Sequence, residues 1–284
     1  MCFSIHLKKK KTYKETNRRL SNMDSDPDLM PAVLELVNIL KDLPRNLSEQ
    51  IEIEVRLGYI EEDDAGRGKF DPDISETYFK TIAKNLKSFS KWDSTLEKAK
   101  STDYYQGDLR LTIDDKASRT CMRKIKLMDY DFVTGGCFDV RISVSQEIPV
   151  DPSHFDESKE CKLTRQKTRR THTIGAWNFD LTEVVSERDC LDRKTFEVEV
   201  ELVDFWKTAS QYNYNLGFIA HSTLIKVRQL VHMCEAPEGD TAFVLHSKHI
   251  RNTLVFPTQE NALIPPLERD SIEVSPGSPR NTLK

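Results

Sequence analysis

The heptapeptide FEVEVEL, Phe196 to Leu202, dictates two faces at once. Side chains of a β-strand alternate between opposite sides, so Glu197, Glu199 and Glu201 project together while Phe196, Val198, Val200 and Leu202 project the other way. Three carboxylates in a row are ordinary in bulk water. On an enclosed face they are costly unless cations oppose them. IEIEVRL, Ile51 to Leu57, repeats the pattern, with Glu52, Glu54 and Arg56 opposite the aliphatic residues.

Splitting the other period-two segments by parity gives the same division. DLRLTID places Asp108, Arg110, Thr112 and Asp114 together, and MRKIKL places Lys124 and Lys126 opposite Ile125 and Leu127. DVRISVSQE aligns Asp139, Arg141, Ser143, Ser145 and Glu147. TRQKTR aligns Arg165, Lys167 and Arg169, and WNFDLT sets Asn178, Asp180 and Thr182 against Phe179 and Leu181. One such strand alone fits a half-exposed sheet with its charges in water. Taken together, the strands are sorted by charge, with Glu clustered on two of them and Arg or Lys on others. A closed barrel with a polar interior accommodates that sorting, its apolar face turned outward against helices. The expected fold class is therefore α+β, mainly β, a closed antiparallel barrel with flanking helices and the charges lining a tunnel.

Organisation along the chain supports one domain over residues 28–256, between a leader at 1–27 without fixed structure and a flexible tail at 257–284 rich in Pro and Ser. Leu29 to Leu43 has helical spacing and is stopped by Pro44. Gly58 is expected to close the first strand, and EEDDAGRGKFDPD to form a turn-rich loop. Ser75 caps an expected helix to about Trp92, and helical spacing recurs over Ser222–Cys234 and Ala242–Val255. A net charge of −4 excludes a general basic coat for nucleic acid, though not a local basic site. The six cysteines are scattered without a CxxC pair, which favours free thiols. No apolar run approaches the roughly 20 residues of a membrane span. The run Lys8–Lys11 admits two readings, a charged leader or a nuclear-targeting patch. Met23 offers an alternative start.

The chemistry of the lining follows from its residue types. Glu52, Glu54 and Glu201 offer hard oxygen ligands suited to Mg²⁺ or Mn²⁺, and clustered Arg and Lys beside a divalent cation suit a triphosphate. Neither a GxxxxGK[ST] loop nor HExxH occurs, and the histidines lack metal-ligand spacing. Tyr104, Tyr105, Tyr130 and Phe132 lie near basic residues, where a stacking platform for single-stranded RNA competes with core packing as the explanation.

IEIEVRLG and FEVEVEL resemble the two glutamate-rich strands of the triphosphate tunnel metalloenzymes. With DVRISVSQE, TRQKTR and FDLT in the same order, the chain is most similar to the fungal and protozoan RNA 5′-triphosphatases of mRNA capping. The resemblance spans roughly Ile51–Leu202 and implies eight antiparallel strands around a tunnel that hydrolyses the γ-phosphate of triphosphate-ended RNA, with free nucleoside triphosphates as further substrates. It implies Glu52, Glu54 and Glu201 as metal ligands. Arg56, Arg110, Lys124 or Lys126, Arg141, Arg165, Lys167 and Arg169 would hold phosphates, Arg110 and Arg165 nearest the reaction. Asp180, Thr182, Asp108 and Glu197 would orient those cations, and Glu199 and Glu147 would position the attacking water. Asn178 stands where fungal members carry a basic residue. A capping guanylyltransferase is the implied partner and the nucleus the implied location, with no membrane association. Alternatives are an inorganic or thiamine triphosphatase of the same superfamily, or a module that binds polyphosphate or RNA ends without catalysis.

Overall fold

The computed structural model describes residues 29–43, 51–62, 68–159, 161, 163–188, 191–234 and 243–250. The leader, Pro44 and the tail from Pro257 lie outside them. Eight strands close a ring: β1 (Ile51–Glu62), β3 (Ser94–Gln106), β4 (Leu109–Asp114), β5 (Arg119–Val133), β6 (Asp139–Val150), β7 (Leu163–Ile174), β8 (Trp177–Arg188) and β9 (Leu191–Leu202). Going round, the order is β1–β6–β5–β4–β3–β7–β8–β9 and back to β1, every pairing antiparallel. Closure gives each of these eight strands a neighbour on both sides. Two short strands extend the wall, β2 (Gly68–Asp71) beside β1 and β10 (Val244–Ile250) beside β5.

Apolar packing lies outside the barrel. Ile53, Val55 and Leu57 of β1, Val198, Val200 and Leu202 of β9, and Val140, Ile142 and Val144 of β6 are buried on the outer face. Helices α1 (Met30–Asp42), α2 (Glu76–Ser88), α3 (Phe205–Gln211) and α4 (Leu216–His232) supply the covering surface. In α1, Val33, Leu36 and Leu40 recur at helical spacing and are buried as α1 packs on α4. Phe79 of α2 meets Phe196 of β9 at 5.1 Å between ring centres, and Trp177 Nε1 of β8 donates to Thr223 Oγ1 of α4 at 2.9 Å. Helices therefore clamp one wall of the ring from outside and leave its interior to polar groups. No helix among the described residues is long and apolar enough to cross a membrane. Cys121, Cys137, Cys161 and Cys234 are free thiols.

Four local expectations are corrected. Gly58 does not close β1, which runs on to Glu62; of the expected loop, residues 63–67 lie outside the described residues and Gly68–Asp71 is strand β2, paired with β1. A Cβ at Gly58 would collide with the Asp71 carbonyl and the Phe70 ring, so the glycine is there for the close approach of β2. Ala242–Val255 does not form the expected helix over its described part: Val244–Ile250 is strand, because β5 extends past β4, which pairs only with Arg119–Arg123, and offers Met128–Val133 as a pairing edge. The helix expected from Ser222 begins at Leu216, where the Asn215 side chain accepts from Phe218 N at 2.9 Å. Ser75 caps α2 as expected, but that helix stops at Ser88, and Ser94–Gln106, with no apolar face, is strand β3.

Candidate active site

The barrel encloses a cavity of about 1080 Å³. Its acidic wall is built by β1 and β9, whose register sets Glu54 opposite Glu201 and Arg56 opposite Glu199. Period two then brings Glu52 and Glu197 to the same interior surface. Burial, reinforced by neighbouring Glu54 and Glu147, holds the Glu52 carboxyl up to about 7 against the pull of Lys124. Glu201 is likewise pushed up to about 7 by burial and by Asp180 and Glu199. Glu199 differs. Burial pushes its carboxyl up, but Arg169, Arg56 and Lys167 outweigh that and hold it below the ordinary range. It stays ionised among cations.

The opposite wall carries the bases. Lys124 pairs with Glu52 and lies 3.7 Å from Glu54 and 3.5 Å from Glu147. Arg110 Nη2 donates to Glu147 at 3.1 Å and Arg165 Nη2 to Glu197 at 2.6 Å. Arg169 donates from Nε to Thr182 and from Nη1 to Asp180, both at 3.1 Å. On the acidic wall itself, Arg56 Nη2 donates to Ser143 at 2.9 Å and lies 3.0 Å from Glu54. The side chains of Arg56, Arg110, Lys124, Arg165 and Arg169 are half-buried and surrounded by carboxylates, which hold each cation above its ordinary range despite partial desolvation.

Most residues singled out by parity meet in this cavity: Glu52, Glu54, Glu197, Glu199 and Glu201, the cations Arg56, Arg110, Lys124, Lys126, Arg165, Lys167 and Arg169, and Glu147, Asp180 and Asp108. Lys124 and Lys126 both face inward. Thr182 is fully buried behind Arg169. Arg141 is not on the cavity wall. It is locked to Asp131 through Nε and Nη2 at 2.6 and 2.8 Å and lies over the Phe70 ring. Asp108 turns to the outward Arg123, 2.7 Å away. Asn178 sits opposite Glu201 in the β8–β9 register and its side chain hydrogen-bonds that carboxylate, so it serves the acidic wall. Among the described residues no three Asp, Glu, His or Cys side chains are grouped closely enough to hold a metal ion as they stand.

Sequence parity misses Asp103 on the cavity wall and Asp129 behind Lys126. Asp103 is buried, pairs with Lys167 and accepts from Thr112 at 2.8 Å. Its strand, β3, gave no apolar signal to reveal it. Asp129 accepts from Lys126 at 2.8 Å and from Ser143 at 2.7 Å. The residue count puts it on the face opposite Lys126, but the register of β5 against β6 shifts at Leu127 and turns it back in. Ser145 Oγ, which parity does place inward, is buried on the cavity wall between Glu52 and Lys126 in register and has no hydrogen-bond partner among the described residues.

A closed ring of eight antiparallel strands whose interior opposes carboxylates to guanidinium and ammonium groups defines a triphosphate tunnel. The chain belongs to the family of mRNA capping enzyme β chains, which it matches over residues 44–214, more than half its length. It is accordingly an RNA 5′-triphosphatase of mRNA capping, a hydrolase. Among solved structures it is similar to the S. pombe Pct1 RNA triphosphatase, with a TM-score of 0.60 and 20% identity, covering 72% of this chain and 92% of that one. The same enzyme in complex with the Spt5 CTD gives a TM-score of 0.59 at 20% identity, covering 72% and 91%. At that identity the likeness is one of fold. No curated protein matches the sequence.

Proposed function

We propose that the tunnel removes the γ-phosphate by metal-assisted, in-line attack of water, leaving diphosphate-ended RNA and orthophosphate. The observation that carries this reading is the opposition across one cavity of the β1/β9 carboxylates to cations from β4, β5 and β7. Glu52, Glu54 and Glu201 suit a divalent cation: all three are hard oxygen donors on two hydrogen-bonded strands. Neighbouring acids already crowd Glu52 and Glu201, so positive charge there is favoured. When bound, Mg²⁺ or Mn²⁺ supplies Lewis-acid charge to the phosphate oxygens. Arg110, Lys124, Lys126, Arg165, Lys167 and Arg169, with Arg56, hold the triphosphate by exchanging their present carboxylate partners for phosphate oxygens. Asp180 and Thr182 keep Arg169 aimed inward. Glu199, held ionised, and Glu147 orient the water by accepting its hydrogen bonds. Negative charge that grows on the phosphoryl oxygens meets cations already in place, so little reorganisation opposes the step.

Free nucleoside triphosphates carry the same anion and are proposed as further substrates. The diphosphate end formed is the acceptor that guanylyl transfer requires, which supports a guanylyltransferase partner and a nuclear site of action. The test is orthophosphate release from γ-labelled triphosphate RNA and from ATP with Mg²⁺, with Mn²⁺ and with EDTA. Turnover restored by one of the metals and abolished by EDTA is expected. Undiminished turnover in EDTA would overturn the metal assignment.

A further inference from the structure

The fold separates the four aromatic residues that the sequence places beside basic ones. Tyr130 and Phe132 are buried in the outer core. Tyr104 points outward and packs on the small cluster of Leu111, Cys121 and Phe155. Of the four, Tyr105 alone lines the tunnel cavity. It stands at the hairpin end of β3, opposite Arg110 on β4 and Leu163 on β7. Its hydroxyl donates to Asp103 at 3.4 Å and bonds the Arg165 side chain, so the ring is anchored at its polar tip and half-buried. Beyond it the chain turns through Gly107, whose φ of 60° suits glycine and beside which a Cβ would meet nothing within 4 Å. The ring thus lies between two phosphate-holding arginines and open space.

We propose that Tyr105 is the stacking surface for the first base of the RNA. The inference rests on the reading in which the tunnel cations hold the triphosphate. With the phosphates held by Arg110 and Arg165, the nucleoside joined to the α-phosphate must lie just outside them, and the planar surface there is Tyr105, with Leu163 beside it. Every base has a π-face, so stacking is tolerant of sequence, as suits an enzyme acting on transcripts that differ in their first nucleotide.

The test compares triphosphate RNA bearing a normal first base with the same RNA made abasic at that nucleotide, on wild type and on Tyr105→Ala. Inorganic tripolyphosphate, which has no base, is the competing inhibitor. Removing the base should raise KM about tenfold on wild type, and Tyr105→Ala should raise KM for normal RNA by about the same factor. On the variant, the abasic RNA should suffer no additional loss, because base and ring form one interaction. The loss should fall on KM, with kcat changed by less than about twofold, as for binding made equally in ground and transition states. Tyr105→Phe keeps the ring and should keep the wild-type KM. The tripolyphosphate inhibition constant should stay within about twofold in both variants, which also shows an intact tunnel. Equal KM for the two RNAs on wild type would overturn the proposal without recourse to any variant. So would a parallel loss of tripolyphosphate and RNA binding in Tyr105→Ala, which would mark the ring as a prop for Asp103 and Arg165. A wild type that neither cleaves the RNA nor is inhibited by tripolyphosphate would instead fail the tunnel reading itself.

Discussion

Arg169 uses Nε and Nη1 on Thr182 and Asp180, which leaves its Nη2 3.6 Å from Glu199 and toward the cavity. Burial raises the Asp180 carboxyl while Arg169 and a 2.5 Å hydrogen bond from Thr171 pull it down, so acid, hydroxyl and guanidinium form one braced unit. A lysine cannot reproduce that fork, being a single point charge on a flexible stem. Arg169→Lys should therefore cut phosphate release from triphosphate RNA about 100-fold, comparable to loss of one preorganised transition-state donor. Near-normal kcat in that variant would show that positive charge alone suffices. Residues of this kind were legible because alternation is strict along β7, β8 and β9. Asp129 and Asp131 were not, because one irregularity at Leu127 reverses every face beyond it. Parity also placed Arg141 beside the lining cations, whereas Asp131 holds it off the wall.

Among the elements, strands with an apolar side and a charged side announced themselves, since the outer face needs aliphatic residues to meet helices. Strand β3 has most of its first half exposed and no such side, so its role in closing the ring between β4 and β7 is visible only in the assembled sheet. The short Val244–Ile250 segment takes its conformation from pairing with β5, a tertiary preference that overrides local spacing. The hairpin of β1 and β2 depends on Gly58. Gly58→Ala should force Phe70 and the Asp71 backbone away from β1 and lower unfolding stability by about 2 kcal/mol, as overpacking typically does. Chemical denaturation would show a lower midpoint. An unchanged midpoint would mean that β2 yields freely, contrary to the close packing described.

At the scale of the whole molecule, the usual barrel is inverted. Apolar residues of β1, β8 and β9 are held by helices from outside, and that support lets the interior remain charged. Charge inside is balanced by pairing, and the proposed binding of a triphosphate exchanges those pairs for phosphate oxygens. The proposed hydrolysis requires the acidic wall to act in catalysis and not merely to form a solvated strand face. Glu201→Gln tests it most directly, because the amide keeps the shape of the side chain and removes only its charge. The measurement is the rate of orthophosphate release from γ-labelled triphosphate RNA by Glu201→Gln and wild type, at saturating Mn²⁺ and with matched circular dichroism. A catalytic wall predicts a fall of at least about 100-fold, since ligand charge and charge balance are lost together. A rate close to wild type would contradict it, because a carboxylate in bulk water is dispensable and one in the catalytic wall is not.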